Sequence, residues 1–135
     1  MPELQFADGV LARIRARAGG RYDERAYLFM LSAIEFLQAR FETRRHVSGA
    51  ELAWGCRDMA LERFGLLART VLGCWGVTCT ADFGRLVYTL VEVGLLSTQP
   101  GDREEDFHGI YDFTEAMDQG YLIRAFPREG LELSP

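Results

Sequence analysis

Lysine and asparagine are both absent from this sequence. Without lysine there is no Schiff-base chemistry, no lysine nucleophile and no phosphate-loop lysine. The lack of asparagine excludes the bidentate asparagine–adenine contact of many DNA readers. All 15 residues in the lysine-plus-arginine class are therefore arginine, and a coding bias toward arginine codons is the simplest source of that pattern. Cysteine is scarce: three residues, an odd number, with Cys56 inside a helical pattern, which argues against a secreted disulfide framework. No apolar run approaches the roughly 18 residues of a membrane span, and no signal-peptide core follows Met1. Neither a Gly-x-Ser-x-Gly elbow nor a glycine-rich phosphate loop occurs. These absences set the expectation of a cytoplasmic protein with no membrane partner.

What remains is 135 residues, the length of one domain that buries about two-thirds of its unfolded surface. The net charge of −5 is unevenly spread. Residues 1–49 carry eight arginines against six acids, residues 50–98 four against five, and residues 99–135 three against nine. The acidic last third sets the sign, so the chain has no long-range field that gathers nucleic acid or anionic membrane.

Helical periodicity dominates. In Thr80–Leu96, the residues Phe83, Leu86, Val87, Leu90 and Val91 fall at i, i+3, i+4, i+7 and i+8, with Thr80 placed to cap the start and Gly94 to end the helix. A short helix over Leu66–Trp75, with Leu67, Val71, Leu72 and Trp75 inward, precedes it across the tight link Val77-Thr78-Cys79. That pair is a helix-turn-helix candidate. Beyond Gly94, the turn Gln99-Pro100-Gly101-Asp102 and an extended return through Phe107 to Phe113 predict a β-hairpin at about 95–113, in the place of a wing. Upstream, a helix is expected from Gln5 to Ala18. A second runs from Asp23 and Glu24 to about Phe41, apolar over so much of its circumference that it is either central or covered by a second subunit. Ser48 and Glu51 form a capping box for a third helix that runs to Phe64 and stops at Gly65. Tyr121–Phe126 reads as extended, and 127–135 as a loose tail. The fold class is mainly α: a winged-helix-like helical core with a small β-hairpin and two additional N-terminal helices, in one domain over 1–126.

Several segments carry a family resemblance: Ala26-Tyr27-Leu28-Phe29, Arg45-His46-Val47-Ser48-Gly49-x-Glu51-Leu52, Arg57-Asp58-x-Ala60-Leu61-Glu62-Arg63-Phe64-Gly65, Asp82-Phe83-Gly84, Leu90-Val91-Glu92-x-Gly94-Leu95-Leu96 and Tyr111-Asp112-Phe113. Together they resemble an uncharacterised family of small bacterial proteins, the Verrucomicrobia/Planctomycetes-restricted family, over most of residues 22–121. The resemblance implies one intact domain and transfers no catalytic residue.

Candidate surfaces lie where charge clusters. Arg13, Arg17 and Arg21, with Arg15, form one basic group, and Arg44 with Arg45 another. On the would-be recognition helix the outer stripe is Asp82, Arg85, Thr89 and Glu92, which sums to one negative charge. DNA readers instead offer basic and amide side chains there. The wing tip carries Glu104, Glu105 and Asp106, which repel a phosphate backbone. Cys74 and Cys79, with Cys56 and the histidines His46 and His108, are the only ingredients for a metal or thiol site. The Cys-x4-Cys spacing is wide, there is no His-x3-5-His, and small buried core residues are the favoured reading of the cysteines. No catalytic, cofactor-binding or metal residue is predicted. The function favoured is a non-enzymatic protein-interaction module with a protein partner or a homodimeric mate. The alternatives are a nucleic-acid-binding regulator using the Arg13–Arg25 or Arg40–Arg45 clusters and a small metal- or thiol-dependent enzyme.

Overall fold

Periodicity and caps place the helices. The computed structural model describes residues 8–119 and 122, and in chain order it contains α1 (Asp8–Ala18), α2 (Glu24–Gln38), α3 (Gly49–Phe64), α4 (Ala68–Cys74) and α5 (Thr80–Glu92). A 3₁₀ turn, Gly65–Leu67, joins α3 to α4, and a 3₁₀ helix, Glu104–Phe107, and a π-helical turn, Thr114–Gln119, follow α5. The fold is mainly helical.

The starts and stops have local causes. At α3, the Ser48 hydroxyl accepts from the Glu51 N–H at 3.1 Å while the Glu51 carboxylate accepts from the Ser48 N–H at 3.0 Å, so two orphan donors are satisfied reciprocally. The Arg45 guanidinium and then this Ser48 N–H hold the Glu51 carboxyl down at about 2. Gly65 ends α3 with a left-handed φ of 54°. At the end of α5, Gly94 donates to the Val91 carbonyl and Leu95 to that of Leu90, the Schellman pattern, with Gly94 at φ 87°.

α2 is the central helix. It buries Ala26, Tyr27, Phe29, Met30, Ala33 and Leu37 and packs against both α3 and α5. Opposite lie Leu52, Cys56, Met59 and Ala60 of α3 and Phe83, Leu86 and Leu90 of α5, all buried. Each large side chain so buried is worth about 1.5–3 kcal/mol. Phe29, Phe64 and Trp75 form an aromatic cluster with ring centroids 5.8–6.4 Å apart. The broad apolar face of α2 is thus covered within the chain.

One polar atom in this core is orphaned. The Tyr27 hydroxyl is buried without a hydrogen-bond partner, and the Thr89 hydroxyl spends its proton on the Arg85 carbonyl at 2.8 Å. Burial pushes the Tyr27 phenol up. Tyr27→Phe, which keeps the ring and removes the stranded group, is expected to stabilise the protein by about 0.5–1 kcal/mol. Chemical denaturation read at an unchanged slope checks this.

Several expectations are corrected. There is no strand among the described residues, so neither the hairpin at 95–113 nor the winged-helix likeness holds. The turn at its tip does form, with Gly101 at φ 96° and the Asp102 N–H on the Gln99 carbonyl at 3.0 Å. After it, however, residues 104–107 wind into a 3₁₀ helix that satisfies its own backbone and buries Phe107. Glycine seats that helix at two points: a Cβ on Gly84 of α5 would lie 3.0 Å from the Glu104 carbonyl oxygen, and one on Gly49 of α3 would lie 2.9 Å from Asp106 Cβ. Thr80 is not the cap of α5; Cys79 holds that position, and the buried Thr80 hydroxyl accepts from the Ile110 N–H at 3.2 Å. α2 stops at Gln38 rather than Phe41, and Leu67 points outward, at 62% exposure. Of the stretch expected to be extended at Tyr121–Phe126, Leu122 is helical and 46% exposed, while 121 and 123–126, like the expected segments at 5–7 and 127–135, lie outside the described residues.

Candidate functional site

The densest polar arrangement centres on Asp82, in the first turn of α5. Two loops build it. Gly76, at φ 93°, lets the turn after α4 approach so closely that a Cβ there would lie 2.6 Å from the Arg21 carbonyl oxygen. The Asp23 N–H then bonds the Trp75 carbonyl at 3.1 Å. This contact delivers the α1–α2 loop to α5. The Tyr22 hydroxyl donates to Asp82 Oδ1 at 2.5 Å and Arg85 Nη1 donates to the same oxygen at 2.7 Å. Oδ2 accepts from the Thr78 N–H at 2.9 Å and the Cys79 N–H at 3.3 Å. Arg21 Nη2 stands 3.9 Å from Oδ1.

The electrostatics follow from this geometry. Asp82 exposes only 3% of its side chain. Burial pushes its carboxyl up, but the Thr78 N–H, the Tyr22 hydroxyl and the Cys79 donors outweigh that effect and hold it below the usual carboxylate range. Tyr22 moves the other way, pushed up to about 12 by burial first and by its bond to the carboxylate second. An ionised acid with both oxygens filled and a phenol that keeps its proton are poorly suited to acid–base work. The cluster is a structural pin. Asp82 therefore does not belong to the outer stripe of the helix, and its burial corrects that expectation.

The rest of that stripe is occupied as well. Arg17 Nε pairs with Glu92 at 3.2 Å, and Arg13 Nη2 donates to the Val93 carbonyl at 2.6 Å. α1 therefore lies along α5, with Arg13 on the Val93 carbonyl, Arg17 on Glu92 and, just beyond α1, Arg21 near Asp82. A recognition helix needs an unpartnered face to enter a groove. α5 has α1, α2, α3 and the 3₁₀ helix Glu104–Phe107 packed against it.

Arg44 and Arg45 lie elsewhere, and they too are engaged. Arg44 forks onto Glu35 at 3.0 and 3.1 Å. Arg45 pairs with Glu51 at 2.7 Å and stacks 4.0 Å from the Phe41 ring centroid, while Arg40 meets Asp58 at 2.8 Å. The chain's own acids thus neutralise the basic cluster in place. Glu104, Glu105 and Asp106 ride on the 3₁₀ helix between α3 and α5, with Asp106 against Gly49 at the α3 N-terminus, where negative charge is favoured.

A different region is open. A groove of about 500 Å³ runs between the α2–α3 connection, the end of α5 and the segment that follows it. Ile34, Val47, Val87, Leu95 and Leu96 supply apolar lining, and Arg44, His46, Asp102 and Arg103 are among its polar residues. Residues 44–48 and 96–99 are irregular chain, outside any helix. His46 Nε2 meets Asp102 Oδ1 at 3.1 Å and ties the two segments together. Both ends of the Gln38 amide bond the Arg45 backbone, at 2.6 and 3.1 Å, which sets the course of residues 44–48.

The cysteines do not converge on a metal. Cys56 is fully buried beside Met30 Sδ at 3.9 Å, and burial pushes its thiol up, whereas Cys74 and Cys79 are exposed. Among the described residues no three His, Cys, Asp or Glu side chains are grouped to hold an ion, and no helix is long and apolar enough to cross a membrane. Sequence reading missed Tyr22, Thr78, Gly76 and the His46–Asp102 pair. The Cys79-x-x-Asp82 spacing, a capping pattern, is the one local signal that Asp82 turns back toward the backbone. Comparison with protein-family models, with characterised proteins and with solved structures finds no match.

Proposed function

We propose that this chain is a non-enzymatic protein-interaction module that receives a segment of a partner protein in the groove bounded by residues 44–48 and 95–99. The observation that carries the reading is the groove itself: an apolar lining that includes Leu95, at 40% exposure, within a rim of charged side chains. An apolar centre inside a polar rim is the anatomy of protein interfaces. Ser48, the hydroxyl nearest to His46 in sequence, is engaged at the α3 cap, which weighs against a nucleophile–base pair in the groove. The nucleic-acid alternative is weakened by the pairing of Arg17, Arg40, Arg44, Arg45, Arg69 and Arg85 with the chain's own acids, since a phosphate has to displace each partner first.

Photo-crosslinking tests the reading. A photoreactive residue at Leu95 is expected to trap a partner protein in cells, while one at Leu67, exposed but remote from the groove lining, is not. An adduct of twice the chain's mass would assign the groove to a second copy. No adduct at Leu95, or the same adducts at both positions, would remove the proposal.

A further inference from the structure

α1 is the helix held by the fewest buried side chains. Ile14, at 2% exposure, is its one fully buried residue among those described, with Val10 and Ala18 partly covered, whereas α2 buries six residues and α3 and α5 seven each. Two polar catches add to this seat on α5. Arg13 Nη2 donates to the Val93 carbonyl at 2.6 Å, at the C-terminal end of α5, where a cation is favoured. Arg17 pairs with Glu92 at 3.2 Å, but both side chains are at least half exposed, and such a pair contributes little. On one flank Leu11, Ile14 and Arg15 border a cleft of about 590 Å³ whose other side includes Tyr22 and Tyr27, so that flank of α1 lacks a closely packed neighbour.

Just beyond α1 the chain changes character. Residues 21–23 are clamped, with the Arg21 carbonyl against Gly76, the Tyr22 hydroxyl on Asp82 and the Asp23 N–H on the Trp75 carbonyl. Between clamp and helix, Gly19 and Gly20 are exposed, Gly19 has a φ of 64°, and a Cβ added to either would meet nothing within 4 Å. An unconfined glycine pair between a lightly seated helix and a fixed anchor is a hinge. We propose that α1 is a strap that undocks from α5 as one unit, pivoting at Gly19–Gly20 and stopped by the Tyr22–Asp82 pin, while α2 to α5 stay folded. The open state uncovers the Tyr22 and Tyr27 side of the cleft and releases Arg13 and Arg17 from α5. Burial of Ile14 and the Arg13 bond restore the closed state, so these two residues set the equilibrium between the two. This motion is independent of the groove at residues 44–48 and 95–99.

Amide exchange on the full-length ¹⁵N-labelled protein tests the strap. An 11-residue helix does not hold by itself in water, so the amides of α1 exchange once it undocks. Those of residues 12–18 are expected to share one level of protection, at least about a hundredfold below that of α5. Ile14→Val and Arg13→Met, each mild enough to leave the core folded, are expected to lower that shared level by about fivefold each, with α3 and α5 unchanged. Protection in α1 equal to that in α5, with both variants shifting every helix together, would make α1 part of the core and overturn the proposal. So would protection that rises residue by residue from the N-terminal end, the mark of fraying, or variants that leave residues 12–18 unmoved.

Discussion

Asp82→Ala is expected to cost about 3–5 kcal/mol, the largest loss from any polar substitution in this protein. The carboxylate is buried, and its removal strands the buried Tyr22 hydroxyl and takes the acceptor from the Thr78 and Cys79 N–H groups, which lie on exposed residues. Each unsatisfied buried donor costs about 1–3 kcal/mol. Against a total stability of roughly 5–15 kcal/mol, the variant is on the edge of unfolding. Asp82→Asn, which keeps one acceptor oxygen, should lose roughly 1–3 kcal/mol, and Tyr22→Phe about 1–2 kcal/mol. Because Tyr22 and Asp82 act on one another, the double variant should lose less than the sum of the singles. Denaturant titration of the four proteins reads each number. Additive losses would show that the contact between the two loops contributes nothing of its own.

The same cluster shapes the pH dependence. The folded Asp82 carboxyl lies below the usual carboxylate range, so its contribution is complete above about pH 4 and is lost as the pH falls through the folded value. Tyr22, raised from 10.0 to about 12, contributes below pH 10 and loses that contribution as the pH rises toward 12. Asp82→Asn should therefore make the acid limb of the stability curve shallower. An acid limb as steep as that of the unaltered protein would contradict the assignment.

Gly76→Ala carries the second large effect, about 2–4 kcal/mol of destabilisation. Two costs combine. Gly76 sits at φ 93°, which a side chain resists, and its new Cβ would lie 2.6 Å from the Arg21 carbonyl oxygen, a backbone atom that cannot swing aside. Relief requires the α1–α2 loop to lift, and that withdraws Tyr22 from Asp82. Gly73→Ala is the internal control, since Gly73 lies in α4 with nothing within 4 Å of its added Cβ. It should stabilise by about 0.5–1 kcal/mol through helix propensity. Two glycine-to-alanine changes three residues apart are thus expected to shift the midpoint in opposite directions by thermal or denaturant melting.

Much of the helical framework is legible in the sequence because its signals are local. The capping box at Ser48 and Glu51, the stops at Gly65 and Gly94, and the buried stripe of Phe83, Leu86 and Leu90 each lie within a few residues of one another. What is not legible depends on distant partners. Asp82 falls four residues before Leu86 and eight before Leu90, on the buried side of α5, and its polarity alone argues for the outside. Its Oδ2 is met by the nearby Thr78 and Cys79 N–H groups, but the hydroxyl that fills Oδ1 beside Arg85 comes from Tyr22, 60 residues away in sequence. The hairpin fails for a related reason. The turn at Pro100-Gly101 forms as expected, but a strand needs a partner edge, whereas Glu104–Phe107 finds its place in a notch opened by the missing side chains of Gly49 and Gly84. The same packing puts the groove out of reach of sequence reading, since its walls come from segments about 50 residues apart that His46 and Asp102 join.

Amide hydrogen exchange on the full chain tests the central claim, that α5 is a packed strut and the walls of the groove are the open surface. The amides of residues 84–92 are expected to exchange only through global unfolding, while those of His46, Val47, Ser97 and Thr98 exchange orders of magnitude faster. Fast local exchange along α5, or wall amides as slow as the core, would contradict the account.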